Sequence, residues 1–301
     1  MNLDDIMHAA GALRWGVAQA RPVDSDSWER REKWLRDGMH ASMDYLGRYP
    51  EVRRDPRNLL DGAKSMIVAA FNYFPATRQK SDAPQFAWYA YGRDYHEVVR
   101  TRLESVVVSL SARFPDATFR ICVDTAPLME RYWAVKAGVG FVGRNAQLIV
   151  PGHGSACFLG EIVTTLSLPP STPCALSCPE GCDRCIRACP GHAIAGDSTI
   201  DARRCLSYLT IEHRGPLPTD APAPGRRIYG CDTCQSVCPL NSEAVPTDIE
   251  EFRPTNSFLS LTDNDIASLT PPDFSRIFSH SAVKRTKLAG LLRNLEAMRR
   301  H

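Results

Sequence analysis

Apolar positions recur at helical spacing in two stretches, Ser27–Gly38 and Asp94–Phe114. The second carries Val98, Leu103, Val106, Val107 and Leu110 on one side. Three short apolar runs, Ser65–Phe71, Phe119–Val123 and Ala146–Val150, are bounded by polar or glycine residues and predict buried strands. A helix is expected over Thr125–Ala137, and the glycine-rich Gly138-Val-Gly-Phe-Val-Gly143 follows it. The pattern breaks at Leu168-Pro-Pro-Ser-Thr-Pro173, and a cysteine-dense segment then runs to about Asn241. Inside that segment, Gly215–Gly225 holds too many prolines for regular structure. A polar stretch to about Asn256 leads to a helical tail ending at His301. The organisation expected is an α/β (α+β) domain over 1–170, a small cysteine-rich domain over 171–245 and a helical tail over 246–301. No internal repeat of solenoid period is present.

Composition narrows the class. A chain of 301 residues, 44% hydrophobic and 23% charged, has the make-up of a folded protein, which excludes wholesale disorder. A net charge of +2 is too balanced for a general nucleic-acid coat, so a nucleic-acid partner would need a local patch. The acidic start Met1-Asn-Leu-Asp-Asp5 predicts neither a secretory signal nor a transit peptide, and no apolar stretch has membrane-spanning length. A cytoplasmic location is expected.

The informative feature is cysteine. Eleven cysteines, an odd number without an export signal, argue against a disulfide framework. Cys122 and Cys157 stand alone and read as small buried hydrophobes; the other nine fall between Cys174 and Cys238. Two runs stand out, Cys178-x3-Cys182-x2-Cys185-x3-Cys189-Pro190 and Cys231-x2-Cys234-x3-Cys238-Pro239. Closely spaced thiolates with a Cys-Pro serving the neighbouring cluster are the pattern of two-cluster iron–sulfur domains, whereas zinc sites use isolated Cys-x2-Cys pairs. Two [4Fe–4S] clusters need eight thiolates, and Cys205 is the eighth. By the crossing rule one cluster takes Cys178, Cys182, Cys185 and Cys238, and the other Cys189, Cys205, Cys231 and Cys234. The first gap is x3 where x2 is usual, so Cys174 is an alternative to Cys178.

Several ordered segments resemble the epoxyqueuosine reductase family. They are Tyr91-Gly-Arg-Asp-Tyr-His96, Val123-Asp-Thr-Ala-Pro127 with Glu130-Arg131, Ala137-Gly-Val-Gly-Phe-Val-Gly-Arg-Asn145 and Gly154-Ser155. Cys205-Leu-Ser-Tyr-Leu-Thr-Ile-Glu212, Tyr229-Gly-Cys-Asp-Thr-Cys-Gln-Ser-Val-Cys-Pro-Leu-Asn241 and Ser281-Ala-Val-Lys-Arg285 continue the likeness over nearly the whole chain. It implies a short form without the C-terminal helical repeats of longer members. It also implies an N-terminal cobalamin-binding domain, a ferredoxin-like domain with two [4Fe–4S] clusters, and reduction of the epoxide of epoxyqueuosine in tRNA to complete queuosine biosynthesis.

The resemblance makes Asp124 the catalytic proton donor, although locally Asp124 also reads as a helix cap before Thr-Ala-Pro. Asp124 follows an apolar strand, at the end where α/β folds bind ligands, and a carboxyl against an apolar corrin face would have its pKa raised. By the same resemblance Arg53, Asp124, Gly143, Arg144, Asn145, Leu148, Leu159, Ser207, Thr210, Cys231 and Asp232 contact cob(II)alamin. Glycines there let the backbone approach closely; Gly138–Gly143 copies a dinucleotide fingerprint but follows a helix, so a nicotinamide site is discounted. Asp94-Tyr-His96 begins the motif by which other corrinoid proteins ligate cobalt, but Val99 replaces its glycine and no histidine ligand is expected. Phe141 and Trp88 depart from the residues frequent in the family.

Partners are implied on the same basis: a tRNA anticodon stem–loop, and an external one-electron donor such as a flavodoxin or ferredoxin. No membrane is involved, and the chain is expected to be a monomer. Glu212, His213, Lys284 and Arg285 match positions near the tRNA, and the basic run Lys284–His301 either grips phosphate or is a solvated helix face. Chemistry on a wobble base would require it extruded. Two further readings are a corrinoid reductase on another substrate, as in reductive dehalogenases, and a ferredoxin-type carrier without catalysis.

Overall fold

The computed structural model describes residues 2–300. Eight strands form, β1 (Arg14–Gln19), β2 (Ser65–Asn72), β3 (Gln85–Phe86), β4 (Phe119–Cys122), β5 (Phe141–Val142), β6 (Leu148–Ile149), β7 (Cys157–Thr164) and β8 (Arg227–Tyr229). The helices of the first half are α1 (Leu3–Ala9), α2 (Ser25–Arg36), α3 (Pro50–Arg54), α4 (Tyr95–Arg113) and α5 (Glu130–Lys136). Short helices α6 (Arg184–Ala188), α7 (Leu206–Ile211) and α8 (Thr233–Ser236) carry the cysteine-rich segment. The tail holds α9 (Asn256–Leu259), α10 (Asp263–Ala267), α11 (Pro271–Ile277) and α12 (Lys287–Arg299).

The main sheet has the order β1-β2-β7-β4, and each neighbouring pair is antiparallel. This places the first domain on the α+β side of the expected class. The central strand β2 reads as one apolar run because both its faces are covered. Ile67, Ala69 and Phe71 face α4 through Val98, Val99, Leu103 and Val106, while Met66, Val68 and Ala70 face Trp133 and Ala134 of α5. Asp94 caps α4 by accepting the His96 N–H, which fixes the start of that helix and the place of His96 beside it.

Two expectations are corrected, and one strand was not foreseen. The other central strand, β7, has no counterpart in the pattern of apolar runs, because Gly160 and Glu161 interrupt it. Gly160 is there because a Cβ would stand 2.6 Å from Val99 and 2.8 Å from Leu103, so α4 lies nearly on the strand backbone. The helix expected over Thr125–Ala137 begins only at Glu130, since residues 124–129 form a non-helical loop. The strand expected over Ala146–Val150 contracts to β6, which pairs with β5 in a two-stranded ribbon.

The segments expected as separate domains are stitched together. β3 pairs in parallel with β8, joining residues 85–86 to residues 227–229. In the tail, Leu291, Leu295 and Met298 of α12 share a core with Phe86, Tyr229, Phe274 and Phe278. The buried Asn294 amide donates to the Thr210 and Ile228 carbonyls, at 2.8 Å each, and locks α12 across the cysteine-rich segment. No helix among the described residues is long and apolar enough to cross a membrane.

Candidate functional site

Short helices and turns bring the eight expected cysteines into two groups. Burial raises the Cys185 thiol, and the adjacent Cys178 and Cys238 raise it further. Cys238 is raised by burial and by Cys178 and Cys182. Cys234 is raised by burial and by Cys231, Cys205 and Cys189, and Cys205 by burial and by Cys231 and Cys189. Each thiol therefore feels members of its own quartet. Cys178, Cys182, Cys185 and Cys238 line one small pocket together with Arg144 and Asn145, and Cys174 is not among its lining residues. Among the described residues no three histidine, cysteine or carboxylate groups close on a single ion. Two quartets of thiols drawn from spaced cysteine runs suit two iron–sulfur clusters rather than one tetrahedral zinc. An open groove beside Cys238, lined also by Arg184, Arg187 and Ser242, brings solvent to this first quartet.

The loop after β4 presents Asp124. Its φ of 53° lies in the left-handed region, which aspartate tolerates better than most residues. The conformation is held by Glu130, whose Oε1 accepts the Asp124 backbone N–H at 2.6 Å. Asp124 caps no helix, because α5 starts six residues later. Its carboxylate, half open to solvent, has Oδ2 3.0 Å from His96 Nε2, and the other ring nitrogen, Nδ1, is 2.7 Å from Asp94 Oδ1. Tyr95, which packs its ring between His96 and Phe158, also hydrogen-bonds Asp124.

The electrostatics differ from the sequence expectation. Burial pushes the Asp124 carboxyl up, but hydrogen bonds and charge from His96, with Tyr95 and Arg131, outweigh it and hold the carboxyl low. His96 takes the proton instead. Burial works against its charge, yet the Asp124 and Asp94 carboxylates raise it to about 9. Glu130 is raised to about 7 by burial and by the Asp124 charge. A raised imidazole stabilises the fold fully below its ordinary value of 6.5, and that contribution is lost as pH rises through about 9. We expect NMR to show His96 titrating near 9, and His96→Gln to flatten the fall in melting temperature between pH 7 and pH 10. A His96 titration near the ordinary 6.5 would show that the imidazole does not hold this proton.

The remaining expected residues fall around this centre unevenly. Antiparallel pairing joins Cys122, the last residue of β4, to Glu161 of β7; Asp124 follows in the loop, and Leu159 is half-buried on β7. The buried Leu148 belongs to the same apolar cluster as Leu159 and Cys157. Gly143–Asn145 link this floor to the thiols, since Arg144 N donates to Cys178 Sγ at 3.4 Å and Asn145 Nδ2 to the Cys234 carbonyl at 3.5 Å. Arg53 and Tyr45 adjoin: the Arg53 guanidinium donates to the Tyr45 carbonyl, and Tyr45 in turn feels the charges of Glu212, Arg285 and Asp124. Asp232 accepts the Trp88 N–H at 2.8 Å, and burial pushes its carboxyl up to about 7. Ser207 is half-buried on α7. Thr210 is buried, spends its hydroxyl on the Leu206 carbonyl and Gly230 N–H and its carbonyl on Asn294 and Thr286, which leaves its methyl to a ligand.

On the basic side, Arg285 forms a two-pronged ion pair with Glu212, at 2.8 and 2.7 Å. His213 Nε2 lies 2.7 Å from the Pro216 carbonyl, and Lys284 is exposed. Arg293 turns inward onto the Leu209, His213 and Gly215 carbonyls, so it stays out of the basic strip. The sequence reading missed the buried carboxylate Glu161 and the roles of Glu130 and Tyr95. A lone acid inside Cys157-Phe-Leu-Gly-Glu-Ile-Val163 was the available signal for the first.

A family profile described as epoxyqueuosine reductase QueG, DUF1730, matches residues 53–125, and one described as a 4Fe-4S double cluster binding domain matches residues 177–241. A curated epoxyqueuosine reductase of Cellulophaga algicola is 36% identical over 290 residues, covering 96% of this chain and 94% of that one. Its counterpart in Leadbetterella byssophila is 40% identical over 281 residues, covering 93% and 91%. Among solved structures, an epoxyqueuosine reductase with an epoxyqueuosine-modified tRNA-Tyr stem loop superposes with a TM-score of 0.88 at 27% identity, covering 98% of this chain and 79% of that one. The Bacillus subtilis enzyme, with its catalytic aspartate loop swung out of the active site, gives 0.89 at 27% identity, covering 99% and 82%.

Proposed function

The chain belongs to the epoxyqueuosine reductase family, and from that premise we propose that it reduces the epoxide of epoxyqueuosine, at the wobble position of tRNA, to queuosine. The observation that carries this reading is two groups of four thiols together with an acid, Asp124, in hydrogen-bond contact with the His96 imidazole, in one chain. A dehalogenase-like substrate or a bare electron carrier is not favoured, since relatives matching nearly the full length are epoxyqueuosine reductases.

Cys178, Cys182, Cys185 and Cys238 would hold one cluster, and Cys189, Cys205, Cys231 and Cys234 the other. The half-open apolar floor of Leu159 and Leu148, bordered by Asp124 and Gly143–Asn145, suits a flat ring with polar edges, and Arg53, Ser207, Thr210 and Asp232 complete the residues that would hold cobalamin. When bound, cobalamin supplies two-electron chemistry at an epoxide carbon, with electrons arriving singly from the clusters.

Removing the epoxide oxygen as water consumes two electrons and two protons. Asp124, half open to solvent and ionised in this structure, is a conduit. It takes the His96 proton across their 3.0 Å contact and delivers it as charge develops on the departing oxygen. Covering Asp124 with substrate and cofactor removes water from its carboxyl and raises its pKa, which favours that transfer. The strained loop 124–129 suits a part that swings, as it does in the Bacillus subtilis relative. Glu212 and Arg285, whose charges reach Tyr45 together with that of Asp124, would meet the anticodon loop. The external one-electron donor, of the flavodoxin or ferredoxin type, would deliver at the groove beside Cys238 between Arg184 and Arg187.

The test is anaerobic reconstitution with iron, sulfide and cobalamin, a strong one-electron reductant and epoxyqueuosine-containing tRNA, followed by nucleoside mass analysis. Loss of one oxygen, dependent on cobalamin, is expected. An unchanged nucleoside with clusters and corrinoid spectroscopically in place would overturn the reading.

A further inference from the structure

Exposed aromatic rings are rare on this molecule. Among the described residues, Tyr45 at 39% and Tyr49 at 61% are the only phenylalanine, tyrosine or tryptophan side chains open to solvent to that degree. Both belong to the short segment that leads into α3. A single exposed ring needs no explanation, so its surroundings decide what it means. Tyr49 has no ring or cation stacked on it among the described residues. Tyr45 does. The Arg285 guanidinium, arriving from the tail, lies over its ring with the central carbon 5.6 Å from the ring centre, within cation–π range. The same guanidinium is gripped by both oxygens of Glu212, so the fork is fixed by a carboxylate and a ring together.

The turn that carries Tyr45, residues Asp44–Gly47, is held through its backbone. Arg53 donates to the Tyr45 and Arg48 carbonyls at 3.2 and 3.0 Å, and Arg31 donates to the Leu46 carbonyl. The ring is therefore presented on a fixed support that does not depend on the ring itself. Charge on either side is positive and uncommitted. Arg48, three residues on, and Lys284, next to Arg285, are exposed and form no ion pair among the described residues. The neighbouring acid Asp44 lies against the His40 imidazole, at 3.4 Å. An open ring backed by a guanidinium, with free cations beside it, meets the two needs of an unpaired nucleotide: a flat face for the base and positive charge for its phosphates.

We propose that Tyr45 is the stacking platform for the unpaired anticodon nucleotide next to the wobble position, with Arg48 and Lys284 taking the flanking phosphates. This rests on the reductase reading. A wobble base that leaves the loop to reach the site strips its neighbour of a stacking face, and Tyr45 restores one. The platform reads an opened single strand and not a base identity, because every base has a π-face.

Fluorescence anisotropy of a synthetic epoxyqueuosine-containing anticodon stem–loop on the reconstituted enzyme, at fixed salt, tests this. Tyr45→Ala is expected to weaken binding about tenfold, and Tyr45→Phe to stay within about twofold of wild type, because stacking uses the ring and not the hydroxyl. Two further stem–loops, abasic on the 5′ or the 3′ side of the wobble nucleotide, give the deciding readout. On one of them wild type and Tyr45→Ala are expected to bind alike. A Tyr45→Ala loss of equal size on the intact and both abasic loops would mean that the ring only supports Arg285, and overturns the platform. Unchanged affinity of Tyr45→Ala for the intact loop overturns it as well. The wild type alone gives a check that no variant's folding can blur: it should lose about tenfold on the abasic loop concerned, and equal affinity for all three loops overturns the proposal. A wild type that binds no stem–loop at all would instead sink the reductase reading.

Discussion

Asp124→Asn is expected to lower turnover by about 10²- to 10⁴-fold, the usual contribution of a positioned proton donor, with the cluster and corrinoid spectra unchanged. The amide keeps the size of the side chain and can still hydrogen-bond, but it cannot carry a proton from His96 Nε2, 3.0 Å away, to substrate. A second effect accompanies the first. Removing one of the two carboxylates that raise His96 should lower the imidazole pKa from about 9 towards 6.5, measured by NMR of its ring protons. Retained turnover would remove Asp124 from the proton path. Lost turnover with His96 unmoved would mean that the contact between the two is not what charges the imidazole.

Cys205→Ala is expected to abolish turnover and to reduce bound iron from about eight to about four per chain, because the second cluster loses a ligand that no neighbour replaces. Cys205 stands 16 residues after Cys189 and 26 before Cys231, outside both spaced runs, so its assignment is the sharpest test of the quartets. Its thiol is half-buried and feels Cys231 and Cys189, and Cys234 feels it in turn, which sets it with that group. The control is Cys174→Ala, which should leave iron content and the electron paramagnetic resonance of both clusters unchanged, since Cys178 lines the pocket of the first quartet. If iron survives in Cys205→Ala and falls in Cys174→Ala, the quartets are wrongly drawn.

Much of the fold was visible where the pattern of side chains is local. Helix α4 declared itself through Val98, Leu103, Val106 and Leu110 with Asp94 as its cap, and β2 through an unbroken apolar run. The strand β7 did not, because its Gly160 and Glu161 answer to partners distant in sequence, Val99 and Leu103 of α4 for the glycine and Cys122 and Val68 for the acid. The loop 124–129 reads as helical in composition. It is held open by Glu130 reaching back to the Asp124 N–H and by the His96 and Tyr95 contacts.

By itself the sequence determined the cluster chemistry and the family. Thiolate spacing within a few residues is a local property, and ordered motifs survive without coordinates. It also singled out Asp124. What only the tertiary structure decided is where protons reside. A pKa depends on charges and burial supplied by other segments, so that Asp124, raised in expectation, is low because His96 arrives from α4, and Glu161 is an acid without a partner because β2, β4 and α5 close around it. The basic tail was settled the same way. Arg293 and Arg285 look alike in sequence, but one is turned inward onto the Leu209, His213 and Gly215 carbonyls and the other is exposed and pairs with Glu212.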